Sequence, residues 1–405
     1  MSVLSQKLEK TGRFPLVALE ITPLNGTKTV RFDKFTNYQF TTNMLVPVDA
    51  FSFSFTAPND PRPFTAYVQE GDIATLFANE ELLATGIIDQ IEIEVDGESG
   101  EKATVNGRDL IGQLEDNNAV ALIVKPNADG TFETTDAEPM WGDNMTIEAV
   151  AKRLIIGTRI QKVVMSDAPI TPALFASEPG ESRLSALLRH CEPFNCIIWT
   201  DASGALKIGK PNFASPSKGM IICNKSKRQS NVFSMRVAFS GTSIPNIVVA
   251  LWSDIQKTQI GIQKNQIFGN IAVGPTRLRQ NGHNVIKTVL TSYPSGGDAQ
   301  SLAIAAQYQT ASAANQTVLQ ALAKRELARA NFTEVLVHAV VPGHYNDNGE
   351  MYRPDTCYDV DFDRAGIQRK MYLYSVEYNL SEERGQYTVL SFCNIGTIVS
   401  DARIK

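Results

Sequence analysis

Residues 101–118 read E-K-A-T-V-N-G-R-D-L-I-G-Q-L-E-D-N-N. The stretch begins as the second strand of a hairpin, turns a corner at Gly107, Arg108 and Asp109, and ends as a short helical turn. Asp109 stands where an N-cap would stand, ahead of a turn carrying Leu110, Ile111 and Leu114. A corner of this kind closes one small β-domain and launches the next part of the chain. Arg108 and Asp109 are expected to maintain the junction, because backbone polar groups must find partners where a strand becomes a helix. No reaction chemistry is expected of them.

Upstream of the corner the pattern is all β. In residues 87–96, Ile91, Ile93 and Val95 alternate with Glu92, Glu94 and Asp96. One face of this strand is expected to be buried and the other to be wet or to form an acidic channel wall. Such a wall would repel a passing polyanion and keep it from sticking. The run D-G-E-S-G at 96–100 supplies the hairpin turn. Phe51, Phe53 and Phe55 alternate with serines, so their rings share a face. Residues 58–63, P-N-D-P-R-P, form a loop, since proline cannot sit inside a ladder. Six or seven short strands over residues 15–106 make a small barrel or sandwich. The polar residues 1–13 read as an arm.

Downstream the character changes. Residues 125–145 are rich in Asn, Asp, Gly and Pro and read as an exposed loop. A helix with Ile147, Val150, Ala151, Leu154 and Ile155 on one face runs up to Gly157. A second helix over 182–190 leads into a hairpin over 196–208. Strands return at 233–240, 246–252 and 281–293, and residues 298–329 lack Pro and Gly and read as helix. Strands follow at 333–341, 358–362, 370–380 and 387–393, the last two pairing across 381–385. The fold class is mainly β with α+β insertions: two small β-barrel domains plus helix-containing peripheral domains. The expected boundaries are 1–115 for the first β-barrel, 116–215 for an α+β middle domain, 216–256 with 332–405 for the second β-barrel, and 257–331 for a partly helical insertion.

Composition excludes several classes of function. The chain has 405 residues, a net charge of −5 and a 43% hydrophobic fraction, so no global basic field points to nucleic acid. No run is apolar for long enough to span a membrane, and residues 1–10 do not read as a secretory signal; cytosolic synthesis and no stable membrane association are expected. Cys191, Cys196, Cys223, Cys357 and Cys393 read as free thiols rather than a disulfide framework. His190, Cys191 and Cys196 lack the spacing of a metal site. Phosphate-loop, dinucleotide, zinc-protease and nucleophile-elbow motifs are all missing. Asp359, Asp361 and Asp363 fall at period two and read as a solvated strand face. Lys225, Lys227 and Arg228 read as a surface loop with a possible phosphate role. No cofactor, metal or catalytic residue is expected.

At V-N-G-R-D-L (105–110), followed by L-E-D (114–116), the sequence resembles the baseplate hub proteins of contractile-tailed, Mu-like phages, the late-control-D or tail hub family. Such proteins usually continue with Val-Asp-Cys-Ser or similar, where this chain has E-D-N-N at 115–118. Later elements follow in matching order: T-I-E-A-V-A at 146–151, D-A-S-G at 201–204, A-K-R-E-L-A-R at 323–329, and N-G-E-M-Y-R-P at 348–354. The resemblance covers most of residues 15–395. It implies two tail-tube-like β-barrels per chain and a homotrimer forming a pseudo-sixfold ring. That ring would join the hexameric tail tube to the trimeric central spike and line the channel for DNA ejection. It further implies contact with tail tube, spike, baseplate wedge and tape-measure proteins, a place in the virion tail baseplate, and assembly in the host bacterial cytoplasm. Glu92, Glu94 and Asp96 are the candidate channel-lining residues. The rival readings are the hub of a phage-tail-like bacteriocin or type VI secretion-like spike, a tail-associated cell-wall hydrolase, and a carbohydrate-binding adhesin. The secretion version usually carries a needle domain after the last hairpin, where this sequence ends.

Overall fold

The structure is a computed structural model that describes residues 14–24, 29–56, 64–96, 100–119, 122–126, 132–136, 142–166, 173–175, 180–192, 195–240, 247–253, 267–273, 286–292, 325 and 327–398. Its N-terminal strands are β1 (Val17–Thr22), β2 (Val30–Phe32), β3 (Asn37–Asn43), β4 (Ala50–Thr56), β5 (Ile73–Ala78), β6 (Glu81–Asp96) and β7 (Gly100–Asp109). They lie side by side in the order β3-β4-β7-β6-β5-β1-β2, every neighbour antiparallel. The alternating phenylalanines drive this sheet: Phe51, Phe53 and Phe55 are all buried. Phe55 stacks on Phe32 with ring centroids 4.7 Å apart, and Phe53 meets Phe35 at 5.0 Å. Residues 81–96 form one continuous strand, because Gly86 keeps its place in the ladder with β5 and β7.

Helix α1 (Gly112–Asp116) follows the corner. Next come β8 (Leu122–Pro126), β9 (Phe132–Asp136), β10 (Gly142–Met145), α2 (Ile147–Leu154), β11 (Val163–Met165), β12 (Ala173–Phe175), α3 (Arg183–Cys191), β13 (Ile197–Thr200) and β14 (Leu206–Gly209). Here one expectation is corrected. Much of residues 125–145 is strand, with β8 paired antiparallel to β9 and β10 to β12. The runs L-I-V-K-P and F-E-T-T-D are each short and rich in β-forming residues, which the count of Asn, Asp, Gly and Pro over 125–145 obscures. Helices α2 and α3 start where the sequence puts them. The Thr146 hydroxyl accepts from the Ala149 N–H at 3.2 Å, and the Ser182 hydroxyl from the Ser185 N–H at 3.1 Å. Both helices bury their apolar faces with Leu110, Ile111 and Leu114 against Ile198, Leu206 and Ile208. The β13–β14 hairpin turns on Asp201, whose Oδ1 accepts from the N–H groups of Ser203 and Ala205.

The remaining strands are β15 (Ser217–Asn224), β16 (Gln229–Ser230), β17 (Ser234–Phe239), β18 (Ile247–Ser253), β19 (Ile267–Val273), β20 (Ile286–Ser292), β21 (Val335–Pro342), β22 (Thr356–Phe362), β23 (Ile367–Ser381) and β24 (Gly385–Cys393). The chain divides into two compact units. The larger gathers the described residues up to 236 and those of 337–392; the smaller gathers those of 237–336 and 393–398. In the smaller unit β18 lies between β19, antiparallel, and β20, parallel. In the larger unit the strand path β16-β15-β22-β23 continues directly into β3, with Tyr378 opposite Phe40 and Leu380 opposite Tyr38. The two β-regions therefore share one sheet.

The long helix expected over 298–329 lies outside the described residues, except that 325 and 327–329 are helical. The solvated face expected for Asp359, Asp361 and Asp363 is a second correction. Asp361 is buried and accepts from the Asn224 side-chain amide at 3.1 and 3.3 Å, because β15 lies parallel along β22 and covers it. Asp363 has left the strand and accepts from the Ser226 N–H and hydroxyl. Among the described residues no helix is long and apolar enough to cross a membrane.

Candidate functional site

The three residues of the corner do three different jobs. Gly107 sits beneath the ring of Phe51. A Cβ added there would lie 2.2 Å from the Ile87 carbonyl oxygen and 2.3 Å from Phe51 Cζ. Gly86, on the neighbouring strand, meets the same ring, at 2.8 Å from Cε1. Two strands thus give up their side chains to seat one phenylalanine.

Arg108 binds two carboxylates. Its Nε and Nη2 donate to Asp89 at 2.7 and 3.0 Å, and its Nη1 and Nη2 to Asp116 at 3.2 and 2.8 Å. The ion pairs with Asp89 and then Asp116 raise the guanidinium pKa above its ordinary value. Asp116 belongs to α1, so Arg108 ties the helix back to the sheet. Asp89 is the extra residue of a β-bulge: Ile88 faces Gly107 and Gln90 faces Asn106, leaving Asp89 unmatched.

Asp109 is buried. Its Oδ1 accepts from the Ile111 N–H at 3.1 Å, its Oδ2 from the Thr200 hydroxyl, and its own N–H donates to the Asp49 carbonyl at 2.9 Å. The expected N-cap is corrected here. Strand β7 runs through Asp109, α1 starts after Ile111, and no side chain caps it. The short acidic side chain instead closes a turn two residues ahead, as Asp commonly does, and reaches across to β13.

Beside it lies Asp49, whose Oδ1 accepts from the Asn43 N–H at 3.0 Å. Asp49 and Asp109 line a cavity of about 290 Å³ together with Trp199, Thr200, Arg353 and Tyr378. Burial, reinforced by the charge of Asp109, pushes the Asp49 carboxyl well above the usual range. Burial also pushes Asp109 up to about 7, against the hydrogen bond from Thr200. A raised carboxyl means that the native chain keeps a proton the unfolded chain has released. Stability from Asp109 is therefore present in acid and is lost as pH rises from about 4 towards about 7. Asp109→Asn should remove that slope. In urea unfolding at about pH 5 and about pH 8, wild type should lose more stability than the variant; identical losses would exclude a titrating Asp109.

The bulge at Asp89 also sets the acidic strand. Beyond it, Ile91, Ile93 and Val95 face the same side as their partners Val105, Ala103 and Glu101, while Glu92 and Glu94 lie on the opposite side with Thr104 and Lys102. Val105 and Ala103 are buried, and the apolar face of β6 continues theirs outward. It outruns the core: Ile93 is 40% and Val95 75% exposed. The expectation of one buried face thus holds near Ile88 and fails at the tip, where Glu92 and Glu94 are exposed as well. Asp96 pairs with Gly100 through the backbone, and its side chain lies outside the described residues. The structure therefore brings Gly107, Arg108 and Asp109 together with Asp89, Asp116 and Thr200, and leaves Glu92 and Glu94 apart on an open strand edge.

Sequence reading missed Asp49 and His344. His344 is fully buried; its Nε2 lies 2.7 Å from the Tyr38 hydroxyl and its Nδ1 2.9 Å from the Thr388 hydroxyl. No short motif marks either residue. The apolar run V-L-V-H-A-V-V at 335–341, followed by Pro-Gly-His, is the nearest signal that His344 enters a core.

Residues 24–109 match the family model of the N-terminal domain of the Mu phage baseplate assembly protein GpP-like family, a match that ends at Asp109. No curated protein matches the chain. Among solved structures, a tail protein from Neisseria meningitidis MC58 is 21% identical, with TM-score 0.69 over 95% of this chain and 99% of that one. The prophage MuSo2 43 kDa tail protein from Shewanella oneidensis is 16% identical, with TM-score 0.66 over 94% and 99%. An E. coli component of the type VI secretion system, described as structurally similar to the T4 bacteriophage tail proteins gp27 and gp5, is 10% identical, with TM-score 0.53 over 93% and 76%. The chain has the mainly β fold of these tail proteins.

Proposed function

We propose that this chain, whose residues 24–109 carry a GpP-like N-terminal domain, is a structural baseplate hub of a Mu-like contractile phage tail. The observation that carries the reading is that match together with end-to-end likeness to two tail proteins. The hub is a homotrimer without enzymatic activity. Each chain contributes two β-regions, joined edge to edge through β3 and β23, to a ring of pseudo-sixfold symmetry. The physical logic is symmetry matching: three chains can meet a sixfold tube on equal terms only if each presents its contact twice. One side of the ring meets the tail tube and the other the trimeric spike, with wedge and tape-measure proteins as further neighbours and DNA passing through the centre. The likeness to a type VI secretion component supports a spike as partner and keeps a secretion or bacteriocin hub as the second reading.

Light scattering tests the assembly. The expected mass is three times the 44.4 kDa of the chain. A particle that stays monomeric, alone and with its spike, would overturn the hub.

A further inference from the structure

Beyond Ile88 the outer edge of β6 has no strand partner among the described residues. Strand β5 pairs with β6 only up to Ile87, and the backbone of Ile88 is taken up by Gly71 and Asp72. On the inner side, β4 pairs with β7 no further than Lys102. Residues 92–94 of β6 thus form an open edge backed by β7 and β4, and only the tip, 95–96 with 100–101, is a two-stranded ribbon. Ribbons of two strands are marginal alone, and a free edge is a template for pairing. The faces of this edge differ: Ile93 and Val95 are exposed on one, Glu92 and Glu94 on the other.

The β16 end of the strand path carries the complement. Strand β16 ends the path, and among the described residues its one strand partner is β15 and its outer edge is unpaired. The β15–β16 turn holds Lys225, Lys227 and Arg228, all exposed. Lys227 reaches Asp361 only at 4.0 Å. Next to this turn Met220 is 51% and Phe233 57% exposed, and the Asn231 side chain donates to the Met220 carbonyl at 2.8 Å, holding the two segments together. One edge is therefore acidic and apolar, the other basic and apolar.

We propose that the open β6 edge of one subunit docks, edge to edge, on the β15–β16 edge of a second copy of this chain. The contact rests on the hub reading and specifies where the ring is made. Edge pairing presents both faces of β6 at once. Glu92 and Glu94 then meet Lys225 and Arg228, while Ile93 and Val95 are covered beside Met220 and Phe233. The contact uses two different surfaces and is head-to-tail, the type that closes into rings. It also takes Glu92 and Glu94 off the channel wall.

Charge reversal with exchange tests the assignment. The E92K/E94K variant and the K225E/R228E variant alter exposed side chains, and each should keep the wild-type circular dichroism spectrum. Each is expected to shift at least tenfold towards monomer at moderate salt. A variant carrying all four substitutions is expected to regain the wild-type mass. Retention of that mass by both two-site variants would place the subunit contact elsewhere while leaving the hub intact. Loss of assembly in E92K/E94K without recovery in the four-site variant would overturn the basic edge as its partner. A wild type that stays monomeric both alone and with its spike would remove the hub reading itself.

Discussion

His344→Ala is expected to destabilise the larger unit by about 3–5 kcal/mol at neutral pH, more than any surface change in the protein. The imidazole joins the two β-regions from inside. Thr388 donates its hydroxyl proton to the Gly343 carbonyl at 2.7 Å, so toward His344 it can only accept. Nδ1 must therefore carry the hydrogen, and Nε2 accepts from the Tyr38 hydroxyl. Tyr38 lies on β3, whereas His344 and Thr388 belong to the C-terminal strands and their turn. The ring also makes edge contacts with Tyr38 at 5.8 Å and Tyr378 at 5.3 Å. Truncation leaves a cavity and strips a buried hydroxyl of its acceptor.

The same substitution carries a pH signature. Burial lowers His344 from 6.5 to about 3. Between those values the unfolded chain takes up a proton that the native chain refuses. Stability is thus intact above about pH 6.5 and falls as pH drops towards about 3. The alanine variant lacks this dependence, so the gap between wild type and variant should narrow from about pH 7 to about pH 4.5. Urea unfolding at both values measures it; a gap that is constant or widens in acid would show that His344 is not held neutral.

Gly107→Val is the second large effect, with an expected cost of about 3 kcal/mol or more. The added Cβ alone would meet the Ile87 carbonyl at 2.2 Å and the Phe51 ring at 2.3 Å. One of these is backbone in a neighbouring strand and cannot swing away. The other is a core ring 5% exposed. Relief requires shifting β6 against β7, which would also disturb the bulge at Asp89 and its hold on Arg108. Thermal unfolding checks this. Pairing Gly107→Val with Phe51→Leu should recover part of the loss; no recovery would mean that the ring is not the obstacle.

Much of the architecture was legible in residues because period and punctuation are local properties. The phenylalanines at 51, 53 and 55, the capped helices beginning after Thr146 and Ser182, and the final hairpin all declared themselves. The corner at 107–109 was legible as a place. Most of its partners were not, because Asp89, Asp49 and Thr200 come from elements separated from it in sequence, whereas Asp116 lies within the same stretch. Asp361 misled for the same reason: a period-two acidic run reads as wet until a parallel neighbour such as β15 is laid along it.

By itself, then, the sequence determined the β-character, the switch to α+β at Asp109 and the resemblance to tail hubs. These follow from short-range alternation, turn residues and their order along the chain. Only the tertiary structure decided that the two β-regions form one sheet, that a neutral histidine bridges them, and that the apolar face of β6 outruns its core. Each depends on which distant strand lies alongside. Strand pairing between distant segments is fixed by the packing of the whole sheet, and no window of residues contains that information.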